Sequence, residues 1–371
     1  MEQAALPLVS VVIPVYNGAN YLREAIESAL SQAYPNLEVV VVDDGSTDET
    51  WAIIQSYGAR VVGLRKENGG VASALNAGIR RAQGPLVAWL SHDDIFLPGK
   101  LARQAEFMLA HPEAALCYTD FEIIDATGAR LATVRTPWEP ARALPGAFLR
   151  DMYINGSTTM LRKTCFEQCG GFDERLAHTQ DLEMWLRLAE QGELGHLPEV
   201  LIQSRSHAGQ GSLNFEHQIE EEHALFAALF ERLGPERFFP ALAGIADARE
   251  RLARGREWFA DALRRRRGWR RFALEQYRMA LALRPSLRLQ GKILWTRAGM
   301  ALMGDERESL TLARRARILL SLGQIHEARR LSEQMVRHHP LRLDALAIWL
   351  GSWLPRGWMA RLKQVRRRLR P

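Results

Sequence analysis

The chain has 371 residues, a formal net charge of +6 and three cysteines. This length is sufficient for two domains, and three cysteines are too few for a disulfide framework, which suits a reducing compartment. No apolar run reaches the roughly 18 residues that a membrane-spanning helix needs, and the N-terminus lacks the basic region of a signal peptide. We therefore expect a cytoplasmic protein.

The charge is divided unevenly along the chain. Residues 1–240 carry a net charge of −13, whereas residues 241–371 carry +19. A change of this size predicts a domain boundary near residue 240 and an anionic partner for the C-terminal part. Most of the cations are arginine, which the base composition of a genome can also produce, so a solvated arginine-rich surface is the alternative.

Strand-like apolar runs alternate with helical patterns at the start of the chain. Strands are predicted over 8–16, 37–44, 59–66 and 85–94, and helices over 19–32, 48–57 and 71–82, with another helix starting near Pro98. The four valines at 39–42 cannot alternate between core and solvent, so both faces of their strand should be covered. This order predicts an α/β fold with a doubly wound parallel sheet.

After the apolar run at 114–125 the pattern becomes less regular. GARLATVR (128–135) and NGSTTMLR (155–162) are predicted as shorter antiparallel pieces, and a helix is predicted over 181–191. The first half of this domain, about 1–125, therefore has the layout of a nucleotide-binding unit. The second half, about 126–240, has the layout of a unit that faces an acceptor.

Two of the predicted strands end in adjacent carboxylates. Asp43 and Asp44 end the second strand, and Asp93 and Asp94 end the fourth. Ligands of parallel sheets bind beyond these strand ends. So much negative charge is costly unless a cation neutralises it, and carboxylate oxygens suit Mg²⁺ or Mn²⁺. An Asx turn at Asp43 and a solvated turn at Asp93 are the alternatives.

Two further segments carry groups that can take part in chemistry. Asp181 lies in the first turn of an amphipathic helix, where it either stabilises the helix end or removes a proton from a substrate hydroxyl. The polar loop predicted over 204–214 carries Arg205 and His207, which could meet a diphosphate or could simply be solvated.

Seven segments together resemble the inverting glycosyltransferases of family 2, which have the GT-A fold. The matching segments, in the order of the family, are IPVYN (13–17), VVDDGSTD (41–48), NGGVASALNAGI (68–79), WLSHDDIFLPGKL (89–101), GGFDE (170–174), QDLEMWLRL (180–188) and RSHAGQGS (205–212). The resemblance covers about residues 8–215. It implies a GT-A domain over 1–240, a mostly parallel Rossmann-like sheet flanked by helices, followed by an all-α domain over 241–371.

The resemblance also implies a role for each matching residue. The donor would be a nucleoside-diphosphate sugar, with a UDP-sugar expected first, and the metal would be Mg²⁺ or Mn²⁺. The implied donor contacts are Pro14, Tyr16, Asp43, Asp44, Asn76 and Arg205; the implied metal ligands are Asp93, Asp94 and His207; and the implied base is Asp181. The chain departs from the family pattern at Ser91, where the first Asp of the DxD motif is usual, and at Gln180, where Glu is usual.

The sequence of the C-terminal part predicts helices over 255–371. The spacing of Gly268, Ala273 and Pro285 recurs in Gly323, Ala328 and Pro340, and it resembles the tetratricopeptide pattern. The two copies lie too far apart for a regular array, so we expect an irregular helical module.

Basic clusters are interleaved with tryptophans in this part of the chain. They lie at 264–271 and 361–371, and two tryptophans lie at 346–355. This composition suits an anionic membrane surface or a protein partner. No recognition motif supports nucleic-acid binding.

We therefore expect a metal-dependent inverting glycosyltransferase that makes bacterial cell-surface polysaccharide or glycolipid at the inner face of the cytoplasmic membrane. Its acceptor would be a glycan or a lipid-linked sugar. The alternative is a catalytically weakened relative that acts through its helical module, which Ser91 favours. A sugar nucleotidyltransferase would need a triphosphate loop rich in glycine and lysine after its first strand, and IPVYNGAN is not such a loop.

Overall fold

The computed structural model describes residues 6–150, 152–207, 215–266, 269–303, 316 and 325–338. The chain forms two compact units. Unit 1 comprises Met1–Arg205 and Ala224–Ala241, and unit 2 comprises Ser206–His223 and Leu242–Pro371. The domain boundary expected at residue 240 stays a prediction.

The first half of unit 1 is a parallel sheet in the order β3-β2-β1-β4. Its strands are β1 (Val9–Val15), β2 (Leu37–Asp43), β3 (Val62–Arg65) and β4 (Leu86–Trp89), and the helices between them are α1 (Leu22–Leu30), α2 (Thr50–Ser56) and α3 (Gly70–Arg81). Every residue of β1 is buried, as are the four valines of β2. The predicted βαβ order is confirmed.

The second half of unit 1 extends this sheet with mixed pairing, in the order β4-β8-β6-β9-β5, with β7 paired to β6. The added strands are β5 (Ile95–Phe96), β6 (Ala114–Ile124), β7 (Arg130–Val134), β8 (Met160–Arg162) and β9 (Glu193–Arg205). β7 and β8 run antiparallel to β6, which confirms the two predicted antiparallel pieces. β9 runs parallel to β6 and places its last residue, Arg205, beside Ile124.

The loop predicted over 204–214 starts too early, because Ser204 and Arg205 belong to β9. This strand has no clean alternation to recognise, since Pro198 interrupts it. In the pairing with β6, Thr119 faces Leu197 and the next residue, Asp120, faces Val200. Pro198 therefore lies in a bulge, where its missing N–H breaks no ladder hydrogen bond.

The other helices associated with unit 1 are α4 (Lys100–Ala110), α5 (Leu144–Leu149), α6 (Lys163–Cys169), α7 (Gln180–Gln191) and α9 (Pro235–Phe238). Helix α8 (Phe215–Leu233) contributes its first part to unit 2 and its last part to unit 1. Cys165 and Cys169 lie on α6, and all three cysteines are free thiols.

The described part of unit 2 is mainly helical, which confirms the predicted class of the C-terminal part. Its helices include α10 (Ala248–Arg265), α11 (Arg270–Leu283), α12 (Leu287–Met303) and α13 (Ile325–His338). The Asp247 side chain caps α10 by accepting a hydrogen bond from the Glu250 N–H at 2.7 Å. Within the ranges that the structure describes, no helix has the length and apolarity to cross a membrane.

The tetratricopeptide-like pattern stays a prediction. Ala273 and Ala328 are fully buried, as close packing of paired helices requires, and α11 ends two residues before Pro285. Gly268, Gly323 and Pro340 lie outside the described residues, as do the segments at 346–355 and 361–371.

Candidate active site

The loops that follow β1 and β2 are joined by hydrogen bonds from backbone to side chain. The N–H of Asn17 donates to Ser46 Oγ at 2.9 Å, and the N–H of Thr47 donates to Asn17 Oδ1 at 2.8 Å. The N–H of Gly18 donates to Thr50 Oγ1 at 3.0 Å. Asn17 has a left-handed backbone with φ of +49°, which asparagine tolerates better than most residues. The carboxyl ends of the two strands therefore form one ordered edge.

Pro14 and Tyr16 lie on this edge in different environments. Pro14 is buried opposite Val42, and because the pairing of β1 with β4 ends at Val12, its missing N–H costs no bond to β4. Tyr16 follows the last residue of β1 and is 48% exposed. Their contacts with a nucleotide stay predictions.

Asp44 caps helix α3. Its carboxylate accepts hydrogen bonds from Lys66 Nζ at 2.6 Å and from the N–H groups of Gly69 and Gly70 at 3.1 Å and 2.7 Å. Asp43 is fully buried; it accepts a hydrogen bond from the Ser46 N–H at 2.9 Å and lies 3.2 Å from Arg65 Nε.

The cation expected at this strand end is therefore supplied by the chain itself, through Arg65 and Lys66. Sequence reasoning missed both residues, although Arg65 ends β3, the next strand of the same parallel sheet, and Lys66 follows it directly. The contacts of Asp43 and Asp44 with a nucleotide stay predictions.

Asn76 lies on α3 and holds the segment GGFDE in place. Its Nδ2 donates to the carbonyl of Phe172 and to Glu174 Oε1, both at 2.9 Å, and its Oδ1 accepts from the Phe172 N–H at 2.8 Å. The side chain is 5% exposed, so both ends of the amide are used inside the protein. The geometry makes Asn76 a positioning residue, and its nucleotide contact stays a prediction.

Asp93 and Asp94 lie in a tight turn beyond β4, closed by a hydrogen bond of 3.1 Å from the Asp94 N–H to the Ser91 carbonyl. They are 7% and 3% exposed. Asp94 accepts hydrogen bonds from Ser157 Oγ at 2.6 Å and from the Arg205 N–H at 2.9 Å. Burial, and then the neighbouring charge of Asp93, raise the pKa of Asp94 to about 7. Such a pair favours either a proton or a bound cation.

Arg205 fixes this turn to helix α1. Its guanidinium is 3% exposed, donates to the Asp93 carbonyl at 3.0 Å and to Glu24 Oε2 at 2.5 Å, and lies 4.6 Å from the centre of the Tyr21 ring. The predicted contact of Arg205 with a diphosphate stays a prediction.

The predicted metal ligands fall into both units, since Asp93 and Asp94 belong to unit 1 and His207 to unit 2. Among the residues whose placement is described, no group of three or more His, Cys, Asp or Glu side chains is arranged to hold a metal ion. The ligand set of Asp93, Asp94 and His207 therefore stays a prediction.

Ser157 connects the ends of three strands and was not found from the sequence. Its Oγ accepts a hydrogen bond from the Ser91 N–H at 3.0 Å while it donates to Asp94. Asn155 caps the short 3₁₀ turn at Gly156–Thr158 and donates from Nδ2 to Ser204 Oγ at 3.2 Å. The only sequence signal is the polar run NGST before an apolar strand.

Gly18 permits His92 to approach the end of β1. A Cβ atom at Gly18 would lie 2.4 Å from His92 Cδ2 and 2.5 Å from Val15 Cγ2, so a larger residue would displace one of the two side chains. The turn beyond β4 therefore packs directly against the loop after β1.

Asp181 is the second residue of α7, where its Oδ1 accepts a hydrogen bond from the Leu182 N–H at 2.7 Å. One helical turn later, the buried Trp185 lies 6.5 Å from the ring of Trp89, the last residue of β4. The Trp185 Nε1–H also donates to the Ile154 carbonyl at 3.2 Å. These contacts tie α7 to the end of β4, the strand that precedes the Asp93–Asp94 turn. The role of Asp181 as base stays a prediction.

Comparison with known proteins identifies the family. The model of the family described as "Glycosyl transferase family 2" matches residues 10–167. An uncharacterized glycosyltransferase, RP339 of Rickettsia prowazekii (strain Madrid E), is 39% identical over 234 residues, which are 62% of this chain and 74% of the relative. The chain belongs to glycosyl transferase family 2. Chondroitin synthase of Pasteurella multocida (strain Pm70) is 32% identical over 211 residues, which cover 56% of this family 2 chain and 22% of the synthase.

Solved structures agree with the GT-A fold. TarS of S. aureus, residues 1–349 in complex with UDP-GlcNAc, superimposes with a TM-score of 0.53 at 17% identity, over 78% of this chain and 89% of TarS. The mannosyltransferase PcManGT of Pyrobaculum calidifontis, in complex with GDP-Man and Mn²⁺, superimposes with a TM-score of 0.50 at 22% identity, over 81% of this chain and 82% of PcManGT. The predicted class, a GT-A domain followed by a helical region, is confirmed.

Proposed function

We propose that this family 2 protein transfers a sugar from a nucleoside-diphosphate sugar to an acceptor hydroxyl with inversion at the anomeric carbon. The observation that carries the proposal is the buried Asp93–Asp94 turn at the edge where β1, β2 and β4 end. Ligands of such sheets bind beyond that edge. The bound nucleotide sugars of TarS and PcManGT support a donor of this class, and among such donors we propose a UDP-sugar.

The residues of this turn fit Mg²⁺ or Mn²⁺. Two adjacent carboxylates are buried there, and the raised pKa of Asp94 indicates that a second negative charge is resisted without a cation. Asp93 and Asp94 would hold the ion, with His207 as the proposed third ligand. When bound, the cation supplies positive charge next to the diphosphate that leaves. Ser91 contributes no carboxylate, so we expect weaker binding of the metal than an unbroken DxD motif gives.

The proposed donor side of the site comprises Pro14, Tyr16, Asp43, Asp44, Asn76 and Arg205. Of these, Tyr16 is the most exposed, so its ring is the one able to meet a nucleotide without rearrangement. Pro14, Asp43, Asp44, Asn76 and Arg205 are buried, and the four polar residues among them are hydrogen-bonded or ion-paired inside the protein. They order the backbone against which the donor would lie.

Asp181 is proposed as the general base. Its carboxylate would take the proton of the acceptor hydroxyl as that oxygen attacks the anomeric carbon from the face opposite the diphosphate. One displacement of this kind inverts the anomer without a covalent intermediate. Helix α7 holds Asp181 for this step through Trp185, which packs against Trp89.

Replacing the base separates catalysis from donor binding. Asp181→Asn should leave the thermal shift produced by the best donor nearly unchanged and reduce turnover at least about a hundredfold, the lower end for general-base catalysis. The donor is found first from a panel of nucleotide sugars with Mg²⁺ or Mn²⁺. Glu190→Gln removes one negative charge from the other end of α7 and serves as the control. Near-normal turnover of Asp181→Asn would remove Asp181 from this role.

We further propose that the protein makes bacterial cell-surface polysaccharide or glycolipid, in the cytoplasm at the inner face of the membrane. The similarity to a chondroitin synthase supports a glycan product. In unit 2, a groove of ≈ 360 Å³ is lined by Arg278 and Arg297, which support an anionic partner, together with Glu275 and with Arg271, which pairs with Glu220. The alternative, a weakened relative that acts through its helices, is favoured by Ser91 and opposed by Asp93 and Asp181; turnover with the panel decides between them.

A further inference from the structure

Two loops in the second half of unit 1 present exposed aromatic rings. Trp138, after β7, is 54% exposed, and Tyr153, after α5, is 55% exposed. Among the described residues of unit 1, Tyr16 is the other aromatic side chain of comparable exposure. Aromatic rings gain more from burial than most side chains, so two of them exposed on ordered loops indicate a surface that a ligand covers.

The backbone next to Trp138 is anchored to β6 by buried polar groups. Tyr118 Oη donates to the Pro137 carbonyl at 2.9 Å, and Asp120, only 1% exposed, accepts from the Thr136 N–H at 3.1 Å. The same carboxylate lies 2.9 Å from His196 Nε2 on β9. The loop is therefore ordered before any ligand binds, which lowers the entropic cost of binding.

The backbone next to Tyr153 is anchored to α7. The Trp185 indole N–H donates to the Ile154 carbonyl at 3.2 Å, and Thr136 Oγ1 donates to the Tyr153 carbonyl at 3.5 Å, so the two loops are also joined to each other. Trp185 follows Asp181 by one helical turn.

The chain continues from Tyr153 directly to the metal end of the site. Asn155 caps the turn that contains Ser157, and Ser157 donates to Asp94. Tyr153 is therefore tied by short connections both to the helix of the proposed base and to the proposed metal turn.

We propose that Trp138 and Tyr153 form a stacking platform for the pyranose rings of a glycan acceptor; the proposal rests on the glycosyltransferase function given above. The apolar C–H face of a pyranose covers an aromatic ring while its hydroxyl groups stay in water, and Tyr and Trp each add one polar group at the rim. Arg135 and Arg150, exposed on the same two loops, lie 3.7 Å from an Asp120 oxygen and 3.9 Å from a Glu139 oxygen, and would exchange these long pairs for the carboxylate of an acidic sugar. Neutral and acidic glycans therefore share the platform and differ in the arginine contacts.

Calorimetric titration of the full chain with chitotetraose and with an unsulfated chondroitin tetrasaccharide tests the platform. We expect binding of at least one of them, and Trp138→Ala and Tyr153→Ala should each raise its dissociation constant at least about tenfold, the loss of one stacked ring. Trp138→Phe keeps a ring and should stay within about threefold of the wild type. Trp295→Ala is the control, since Trp295 is 63% exposed on unit 2. If neither tetrasaccharide binds, or if both alanine variants bind like the wild type, the platform is wrong.

Donor binding gives an independent readout. Trp138→Ala and Tyr153→Ala should keep the thermal shift that the best nucleotide sugar produces in the wild type, because neither residue belongs to the proposed donor side. Tetrasaccharide binding without a response to any nucleotide sugar would reject the proposed function and leave the platform. A thermal shift with a nucleotide sugar, together with unchanged tetrasaccharide binding in both alanine variants, would reject the platform and leave the proposed function standing.

Discussion

Two Asp-Asp pairs end neighbouring parts of one sheet and have different chemistry. Asp44 is met by Lys66 Nζ and two backbone N–H groups, and Asp43 lies beside Arg65, so the first pair is neutralised within the protein. The partners of Asp94 are instead the hydroxyls of Ser157 and Ser204 and a backbone amide, and burial raises its pKa to about 7. The first pair stabilises the start of α3. The second keeps the capacity to take a cation.

This difference gives a prediction for Asp93. Asp93→Ala should abolish the metal-dependent part of donor binding, because removing one carboxylate leaves too few oxygen ligands for Mg²⁺ or Mn²⁺. The thermal shift caused by the best nucleotide sugar is measured with and without metal. Glu106→Ala, which removes an exposed carboxylate on α4, is the control and should behave like the wild type. Unchanged metal-dependent binding by Asp93→Ala would refute the metal assignment.

At the scale of elements, sequence reasoning succeeded where the local pattern decides the structure. The four buried valines of β2 predict a strand covered on both faces, and the alternation of strands and helices predicts the β3-β2-β1-β4 half of the sheet. Strand β9 was missed because Pro198 and its bulge break the alternation, and only the pairing with β6 and β5 defines the strand.

The candidate site was predicted less completely than the fold, for a physical reason. Asp43, Asp93 and Asp181 stand out because strand ends and helix starts are visible in the sequence. Lys66 and Ser157 do not, because their partners, Asp44 and Asp94, lie 22 and 63 residues away in the chain. Partners of this kind are defined by tertiary structure.

Helix α4 begins with a fully buried lysine, which predicts an unusual dependence of stability on pH. Lys100 Nζ donates to the Thr159 carbonyl at 3.2 Å and lies 4.0 Å from the centre of the Phe96 ring. Burial lowers the pKa of Lys100 from 10.5 to about 7. Between these two values the unfolded chain binds more protons than the folded one, so the free energy of unfolding should rise as the pH rises through this window.

Lys100→Met, which keeps the volume of the side chain, should remove this dependence. Relative to the variant, the wild type should gain on the order of 1–3 kcal/mol between about pH 7 and about pH 9.5. The measurement is urea unfolding of both proteins at several pH values, in which the other titrating groups cancel. Curves that stay parallel over this range would show that the ammonium of Lys100 does not titrate on folding.

At the scale of the whole molecule, the charge follows the chain: −13 over residues 1–240 and +19 over residues 241–371. Within the described part of unit 2, some arginines are neutralised, as in the pairs of Arg266 with Glu222 and Arg271 with Glu220, both at 2.8 Å or less. These two pairs neutralise only two of the basic side chains of residues 241–371, so a large excess of positive charge remains in the C-terminal part. Such an excess attracts an anionic surface over distances of about 8 Å at physiological salt.

Vesicle sedimentation distinguishes a membrane partner from a solvated arginine surface. The full chain should pellet with vesicles that contain phosphatidylglycerol and not with phosphatidylcholine alone, since each basic residue near an anionic surface contributes on the order of 1 kcal/mol. Raising the salt should weaken the binding, because it screens the attraction. A variant with Arg366→Gln, Arg367→Gln and Arg368→Gln should bind at least about tenfold more weakly by the same reasoning. Equal partitioning to both kinds of vesicle would reject the membrane surface and leave a solvated arginine surface or a protein partner as the reason for this charge.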